Sequence, residues 1–301
     1  MNQPDSAHVN TEGPPILVGG HFGEFLQGVL PGDGTVALVT CPCPLFWSRA
    51  VLDLCDVPFR GDGAGPKALR AASLVFSAFR IAPRGVLKVR GNAPPGTGVG
   101  SSTTDVLAAI RAVARCLGRT LEPTEEAALC VEAEGASDPL MFPESNALFA
   151  PRAGRILREF PKLPAMRIVG GFHGLARETM TVVRPATDLS LFLERFAHAC
   201  LHDDLETIAR LSTLSAMSSG RDESTLRLLD AARNYGEILG MLVAHTGSAA
   251  GLILPAGSTT AECATFLRRH GFQRISSFDP SLGVTETHHG RQPTAAEQFE
   301  R

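Results

Sequence analysis

Apolar positions in the first half of the chain alternate between short β-type runs and helical stripes. Runs rich in β-branched residues predict strands. These strands cover 16–18, 35–40, 45–54 and 85–90. Apolar residues spaced by three and four predict helices. These helices cover 66–80, 101–117 and 123 to 132 or 134. We expect the strands on either side of the Cys-Pro-Cys-Pro segment to be neighbours in a sheet.

The second half of the chain has the pattern of a mixed α+β domain. Its strands are predicted at 166–172, at 179–183, on both sides of a small-residue turn within 240–254, and at 272–278. Its helices are predicted at 189–200, 203–217, 223–239 and 260–270.

Two prolines mark 155–163 as a connector, which sets a domain boundary at residue 160. We therefore expect an α+β protein with two domains, 15–160 and 161–284. A flexible N-terminus at 1–14 and a flexible tail at 285–301 are predicted to flank them.

The composition is that of a globular protein with a sizeable core, since 44% of the 301 residues are hydrophobic and 20% are charged. The net charge is −3, with one Trp, one Tyr and no basic run, which argues against nucleic-acid binding. No apolar run is long enough for a membrane span and no signal peptide is recognisable, so we expect a cytoplasmic protein without a membrane partner.

Seven cysteines, an odd number without CxxC spacing, indicate reduced thiols. Cys41 and Cys43 form the closest pair. Because no second pair of Cys or His stands at metal-ligand spacing, buried small apolar residues are favoured over a zinc site.

The most informative segment is the glycine-rich stretch 92–104, between a predicted strand and a predicted helix. Gly96, Gly98 and Gly100 permit positive φ and a close approach of the backbone to a ligand. The amides from Gly100 to Thr103 would point away from the helix start, where the helix dipole also favours an anion. The segment is either a tight turn or an anion site, and phosphate is the anion that we expect.

Two common nucleotide motifs do not fit this segment. No Gly-Lys-Ser/Thr follows, as a Walker A loop requires, and no acidic residue about twenty positions later ends a second strand, as a dinucleotide fingerprint requires. The paired serines favour phosphate binding, because Ser101 can cap the helix and leave Ser102 to face phosphates or a metal ion.

Two further segments carry polar residues in unusual positions. In the glycine-rich segment 19–28, Glu24 and Gln27 would share one face of a helical turn, either solvated or facing a substrate. After the helix predicted from Pro123, Gly135 can cap the helix end and Asp138 precedes a proline. The carboxylates there are either solvated or part of a site.

The segment 95–103, Pro-Gly-Thr-Gly-Val-Gly-Ser-Ser-Thr, resembles the phosphate loop of the GHMP small-molecule kinases, such as galactokinase, homoserine kinase, mevalonate kinase and phosphomevalonate kinase. It departs from the usual motif at Val99, where Leu is common, and at Thr103 and Thr104, where Ala-Ala is common. Within that superfamily the chain is most similar to the L-threonine kinase branch of cobalamin synthesis. The segments that carry this similarity are 22–28, 38–42, 137–142 and 244–248.

The resemblance implies a two-domain GHMP kinase fold, with a ribosomal protein S5-like N-terminal domain and a ferredoxin-like C-terminal domain. ATP would lie on the glycine loop, with the β- and γ-phosphates on its backbone amides. The implied ATP-binding residues are Pro95, Gly96, Gly98, Val99, Gly100, Ser101, Ser102 and Thr103. Ser102 and Glu134 would hold Mg²⁺, with Glu132 as the rival of Glu134.

The implied catalytic residues are Ser102 and Asp138, and Asp138 would accept the hydroxyl proton of the acceptor or orient that hydroxyl. Glu24 and Gln27 are candidates for the ammonium and carboxylate of the acceptor. The implied substrate-binding residues are Glu24, Gln27, Gly28, His245 and Thr246. A histidine in such a turn is more often structural than catalytic. The lysine that opens the mevalonate kinase signature is missing, and Gly20-His21 occupies that region.

The function implied by the resemblance is a transferase that uses ATP to convert L-threonine to O-phospho-L-threonine, for the aminopropanol arm of cobalamin. L-Serine is a close competitor, since a pocket discriminates one methyl group by only about 1–3 kcal/mol. Homoserine, isoprenoid alcohols and sugar alcohols are alternative acceptors. A nucleotide-binding protein without turnover is the alternative from another class, although intact Ser102, Glu134 and Asp138 argue against it. The oligomeric state is left open.

Overall fold

The computed structural model describes residues 11–12, 15–174, 187–232, 235 and 237–280. Within this part of the chain, eleven strands join one sheet and seven helices pack on it. The strands are β1 (Thr11–Glu12), β2 (Ile16–Val29), β3 (Val36–Pro58), β4 (Arg60–Asp62), β5 (Arg84–Gly91), β6 (Asn146–Ala150), β7 (Arg155–Phe160), β8 (Met166–Phe172), β9 (Gly240–Val243), β10 (Ala249–Pro255) and β11 (Gln273–Phe278). The helices are α1 (Pro66–Ala78), α2 (Ser101–Cys116), α3 (Pro123–Glu134), α4 (Ser190–Leu201), α5 (Leu205–Met217), α6 (Glu223–Ala232) and α7 (Ala261–Arg269).

The sheet has the strand order β11-β8-β10-β9-β2-β3-β5-β4, with β1 and β6 also paired to β3 and β7 paired to β6. β2 therefore lies in the middle, where Glu24 pairs with Thr40 of β3 on one side and with Val243 of β9 on the other. The predicted α+β class is confirmed. The division into two domains at residue 160 stays a prediction, since the described strands form one continuous sheet.

β2 and β3 are longer than the sequence predicts. The strand expected at 16–18 continues to Val29, and the two strands expected around the Cys-Pro-Cys-Pro segment are one strand rather than neighbours. The register of this antiparallel pair shifts between Gly19 and Gly20 and again around Glu24. These irregularities admit glycine and proline, which would otherwise end a strand.

The predicted connector at 155–163 is wrong, because it contains β7, which pairs antiparallel with β6. The prediction relied on Pro161 and Pro164, and both follow the strand instead of interrupting it. β4 and β6 are too short to give a pattern that can be recognised in the sequence.

Some predictions lie outside the described residues, namely the strand at 179–183, the tail at 285–301 and most of the N-terminus at 1–14, of which Thr11–Glu12 pair with β3. The helix expected at 223–239 ends earlier, at Ala232. No helix among the described residues is long and apolar enough to cross a membrane.

Three clusters of buried apolar side chains cover the faces of the sheet. One packs α1, α2 and α3 on β2, β3 and β5, the second lies under α4 and α5, and the third under α6 and α7. Cys41 and Cys43 are buried, as predicted. Phe22 and Phe25 of β2 are at most 1% exposed, and burying such a side chain contributes about 1.5–3 kcal/mol. This packing fixes the polar residues of β2 in the protein interior.

Candidate active site

The glycine-rich loop leads from β5 into α2. Gly96, Gly98 and Gly100 have φ angles of 71°, 78° and 77°, the left-handed region that glycine favours. The prediction that Ser101 caps the helix is wrong, because Gly100 is the N-cap residue and makes no side-chain cap. The left-handed turn at Gly100 brings Ser101 directly into the helix. The first amides of α2 have no partner within the helix, which suits them to an anion.

The glycine loop packs on the turn between β9 and β10. The amides of Ser248 and Ala249 donate to the carbonyl of Thr97 at 3.0 and 2.8 Å. A Cβ atom added at Gly98 would overlap the carbonyl oxygen of Thr246. Thr246, a predicted substrate-binding residue, therefore supports the loop through its backbone.

We expect Gly98→Ala to lower both the thermal stability and the affinity for ATP. Alanine in the left-handed region costs about 1–2 kcal/mol, and at Gly98 the overlap with Thr246 adds to that cost. Gly118→Ala is the matched control, since Gly118 has a φ of 64° but no atom within 4 Å of an added Cβ. Thermal unfolding and nucleotide titration measure both effects. Equal losses of Tm in the two variants would contradict the close packing at Gly98.

Ser102 and Glu134, the two residues expected to hold a metal ion, meet at the start of α2. The Ser102 hydroxyl donates to Oε2 of Glu134 at 2.6 Å, and the Thr103 hydroxyl donates to Oε1 at 2.8 Å. The Glu134 side chain is 2% exposed. Burial raises the pKa of this carboxyl to about 7, against the opposing effect of the Ser102 hydroxyl. The rival Glu132 is exposed on α3.

Lys67 reaches the same place from α1 and is a residue that the sequence analysis missed. Its Nζ lies 3.3 Å from the Ser102 hydroxyl oxygen and 3.9 Å from Oε2 of Glu134. The side chain is half exposed, and nothing in the sequence distinguishes it from other surface lysines. Its ammonium adds positive charge beside the first turn of α2.

The donors at this place fit a divalent cation. Magnesium prefers oxygen ligands and takes few of them from the protein, and here a hydroxyl oxygen and a carboxylate oxygen lie 2.6 Å apart. Among the described residues, no group of three or more His, Cys, Asp or Glu could hold a metal ion. Ser102 and Glu134 are therefore the two residues that would hold such a cation.

Asp138 lies in the segment after α3 and contacts a residue that the sequence analysis did not assign. Its Oδ2 is 3.1 Å from Nε2 of His21 on β2, and its amide contacts the Thr103 hydroxyl at 3.4 Å. Nδ1 of His21 is 3.8 Å from Oε1 of Glu24. His21 thus lies between two carboxyl groups. The only indication in the sequence was that Gly20-His21 occupies the region where the mevalonate kinase signature opens with a lysine.

The ionisation of these three side chains is coupled. Burial alone would lower the pKa of His21, but the charges of Asp138 and Glu24 raise it to about 9. Burial alone would raise the pKa of Asp138, but the charge and hydrogen bond of His21 lower it. Burial raises the pKa of Glu24 to about 8. Near neutral pH, His21 is therefore positive, Asp138 negative and Glu24 protonated.

Glu24 and Gln27 lie on a strand, so the predicted helical turn is wrong. Irregular register around Glu24 nevertheless turns both side chains inward, and each residue is 2% exposed. The Gln27 side-chain oxygen lies 3.2 Å from Nδ1 of His245, and its amide donates to a carbonyl of β9 at 3.0 Å. Gly28 packs its backbone closely on Thr187.

Residues 67–142 match the family model described as the GHMP kinases N terminal domain. This range contains the glycine loop, Glu134 and Asp138, while β2 lies before it. The L-threonine kinase of Salmonella typhimurium is 25% identical to this chain over 249 residues, covering 77% of this chain and 80% of the relative.

Solved structures of kinases share the fold. L. major mevalonate kinase in complex with R-mevalonate superposes with a TM-score of 0.65 at 16% identity, covering 93% of this chain and 98% of that one. Homoserine kinase from Cytophaga hutchinsonii gives a TM-score of 0.63 at 14% identity, covering 92% and 96%. At these identities the likeness establishes the fold.

Proposed function

We propose that this chain, which has the GHMP kinase fold and carries the GHMP kinase N-terminal domain, is an ATP-dependent kinase that phosphorylates the side-chain hydroxyl of L-threonine. The observation that carries the kinase activity is the contact of Ser102 with the buried Glu134 at the glycine-loop end of α2. Thr103 joins this pair to Asp138, because its hydroxyl contacts both Glu134 and the Asp138 amide. The proposed phosphate-binding loop, the proposed metal ligands and the proposed base are therefore adjacent.

In the proposed complex, the amides from Gly98 to Ser102 bind the β- and γ-phosphates of ATP. Lys67 lies near enough to add a positive charge to the phosphates. Ser102 and Glu134 would hold Mg²⁺, which neutralises phosphate charge when bound.

In the proposed reaction, the threonine hydroxyl oxygen attacks the γ-phosphorus, and the bond from that phosphorus to the β–γ bridging oxygen breaks. ADP leaves with the electron pair of that bond, and the hydroxyl proton passes to Oδ of Asp138. Because His21 keeps the Asp138 pKa low, Asp138 is ionised and available, although weak as a base. Positioning then contributes more to the rate than basicity does.

Glu24 is the proposed receptor for the α-ammonium of the acceptor. The Glu24 carboxyl is protonated near neutral pH in the free protein, and an ammonium beside it would favour the ionised form. With Glu24 ionised, the group formed by His21, Glu24 and Asp138 carries one net negative charge, which the ammonium neutralises. The Gln27–His245 pair is the corresponding candidate for the acceptor carboxylate. An amino acid fits this arrangement better than mevalonate, which has no ammonium. The similarity to an L-threonine kinase supports threonine among hydroxy amino acids.

Glu24→Gln should raise KM for L-threonine by roughly 10- to 100-fold, the usual range for losing a charged hydrogen bond. KM for ATP should stay within about threefold, because the nucleotide binds at the glycine loop. Steady-state kinetics with each substrate varied in turn measure both constants. Glu206→Gln, an exposed change on α5, serves as the control. An unchanged KM for threonine in Glu24→Gln would remove Glu24 from the acceptor site.

The test of the proposed function is the initial rate of ADP release over a panel of L-threonine, L-serine, homoserine and mevalonate. We expect the highest kcat/KM with L-threonine, followed by L-serine. A preference for homoserine or mevalonate would show that the acceptor is not L-threonine, while the proposed kinase activity would stand. ATP binding without turnover of any acceptor would favour a nucleotide-binding protein. Production of O-phospho-L-threonine would supply the aminopropanol arm of cobalamin synthesis.

A further inference from the structure

We infer that His21 is a positioning residue, which orients the Asp138 carboxylate and ties it to the phosphate loop. This inference rests on the proposed kinase function. His21 belongs to β2, Asp138 to the segment after α3, and the phosphate loop to the connection between β5 and α2. The side chain and the backbone amide of His21 contact both Asp138 and the phosphate loop, so this one residue links the three parts of the chain.

The contacts of His21 fix both its ring and its backbone. Nε2 lies 3.1 Å from Oδ2 of Asp138, and the backbone amide of His21 donates to the carbonyl of Val99 at 3.2 Å. The ring covers Gly100, where an added Cβ would lie 2.7 Å from Cδ2 of His21. The ring is therefore held between the helix start that would bind phosphate and the carboxylate that would receive the proton.

The surroundings favour a charged imidazole. The flanking acids are Asp138 from the segment after α3 and Glu24 from β2 itself. The Asp138 charge raises the pKa of Glu134 on α3, and His245 from the β9–β10 turn lowers the pKa of Asp138. The Cys41 thiol of β3 near Glu24 is neutral, since burial raises its pKa. The ionised Asp138 carboxylate, 3.1 Å from Nε2, contributes most to stabilising the protonated ring.

A charged His21 affects Asp138 in two ways. The Nε2–H group of His21 binds Oδ2 of Asp138, which fixes the orientation of the carboxylate and leaves Oδ1 for the acceptor. The positive charge of His21 keeps Asp138 ionised as the pH falls. The same ring lies on Gly100, so movement of the glycine loop is coupled to the position of the carboxylate. His21 acts through Asp138 and is not itself a group that receives the proton.

The first experiment compares His21→Gln with the wild type. Glutamine keeps an N–H donor for Asp138 but loses the charge, and His202→Gln, exposed on the C-terminal side of α4, is the matched control. We expect kcat of His21→Gln to fall by roughly 100-fold, as misplacement of a reacting group does, with KM for ATP within about threefold.

The pH profile separates this role from a purely structural one. Activity requires ionised Asp138 and is lost as the pH falls through its pKa. His21 lowers that pKa, so in His21→Gln the acidic limb of kcat should move to higher pH. An acidic limb and a kcat equal to those of the wild type and of His202→Gln would overturn the inference.

A second measurement needs no turnover and uses the intact wild-type chain. In protein with ¹⁵N-labelled histidine, the signal absent from His21→Gln is assigned to His21. Both ring nitrogens of His21 should carry protons at pH 7.5, and Asp138→Asn should lower the pH at which one proton is lost. A neutral His21 ring at pH 7.5 in an active enzyme would overturn this inference alone. A charged ring in a protein that turns over no acceptor would overturn the proposed function alone.

Discussion

Asp138→Asn should lower kcat by about 10²- to 10⁴-fold, the usual contribution of a positioned acid or base. Asparagine has the size of aspartate and can still accept the hydrogen bond from Nε2 of His21, which lies 3.1 Å from Asp138. It cannot take a proton from the acceptor hydroxyl. Since the glycine loop is unchanged, KM for ATP should stay within about threefold. Steady-state kinetics at saturating L-threonine measure the effect.

Asp62→Asn is the matched control, because Asp62 pairs with Arg90 at the surface. This control should keep the wild-type kcat. Turnover by Asp138→Asn at the wild-type rate would remove Asp138 from the mechanism. The rate enhancement would then come from positioning by the other residues.

Glu134→Gln should lower kcat on the order of 100-fold at a fixed Mg²⁺ concentration, as the loss of a group that stabilises transition-state charge does. It should also raise the Mg²⁺ concentration that gives half-maximal rate. Glutamine keeps one oxygen, which can accept from either the Ser102 or the Thr103 hydroxyl, and presents its NH₂ group to the other. It offers a metal ion no charge. Because the Glu134 carboxyl is buried at 2% exposure, the neutral amide should leave Tm equal or higher. Loss of activity with retained stability would distinguish metal binding from folding.

Glu132→Gln decides between the two acidic residues at the end of α3. Glu132 is exposed, so its replacement should leave the Mg²⁺ dependence unchanged. The reverse result, with Glu132→Gln impaired and Glu134→Gln normal, would contradict the proposed metal ligand.

The elements around the phosphate loop could be predicted from the sequence because their signals are local. Gly135 ends α3 in the left-handed conformation, and Pro123 begins that helix. Gly100 begins α2 in the same left-handed conformation. Each of these residues restricts or frees its own backbone, whatever the rest of the chain does.

The lengths of β2 and β3 could not be predicted in this way. The glycines of β2 and the prolines of β3 are typical of turns. Each strand nevertheless continues, because the other pairs with it across an irregular register. A strand of this kind is specified by the strand that pairs with it, which sequence periodicity does not record.

The candidate site was predictable only where residues lie close to a recognisable motif. Ser102, Glu134 and Asp138 follow from the resemblance of the glycine loop, and the fold brings them together. His21 and Lys67 reach the same place from β2 and α1. Their contacts depend on how distant elements pack, so no spacing in the sequence could indicate them.

Identification of the product tests the proposed function most directly. The protein, ATP, Mg²⁺ and L-threonine are incubated together, and the products are resolved by ³¹P NMR with mass spectrometry. We predict ADP and O-phospho-L-threonine in equal amounts, and neither in a reaction with Asp138→Asn stopped at the same early time. ADP with inorganic phosphate alone, or unchanged ATP with the wild-type protein, would contradict a threonine kinase.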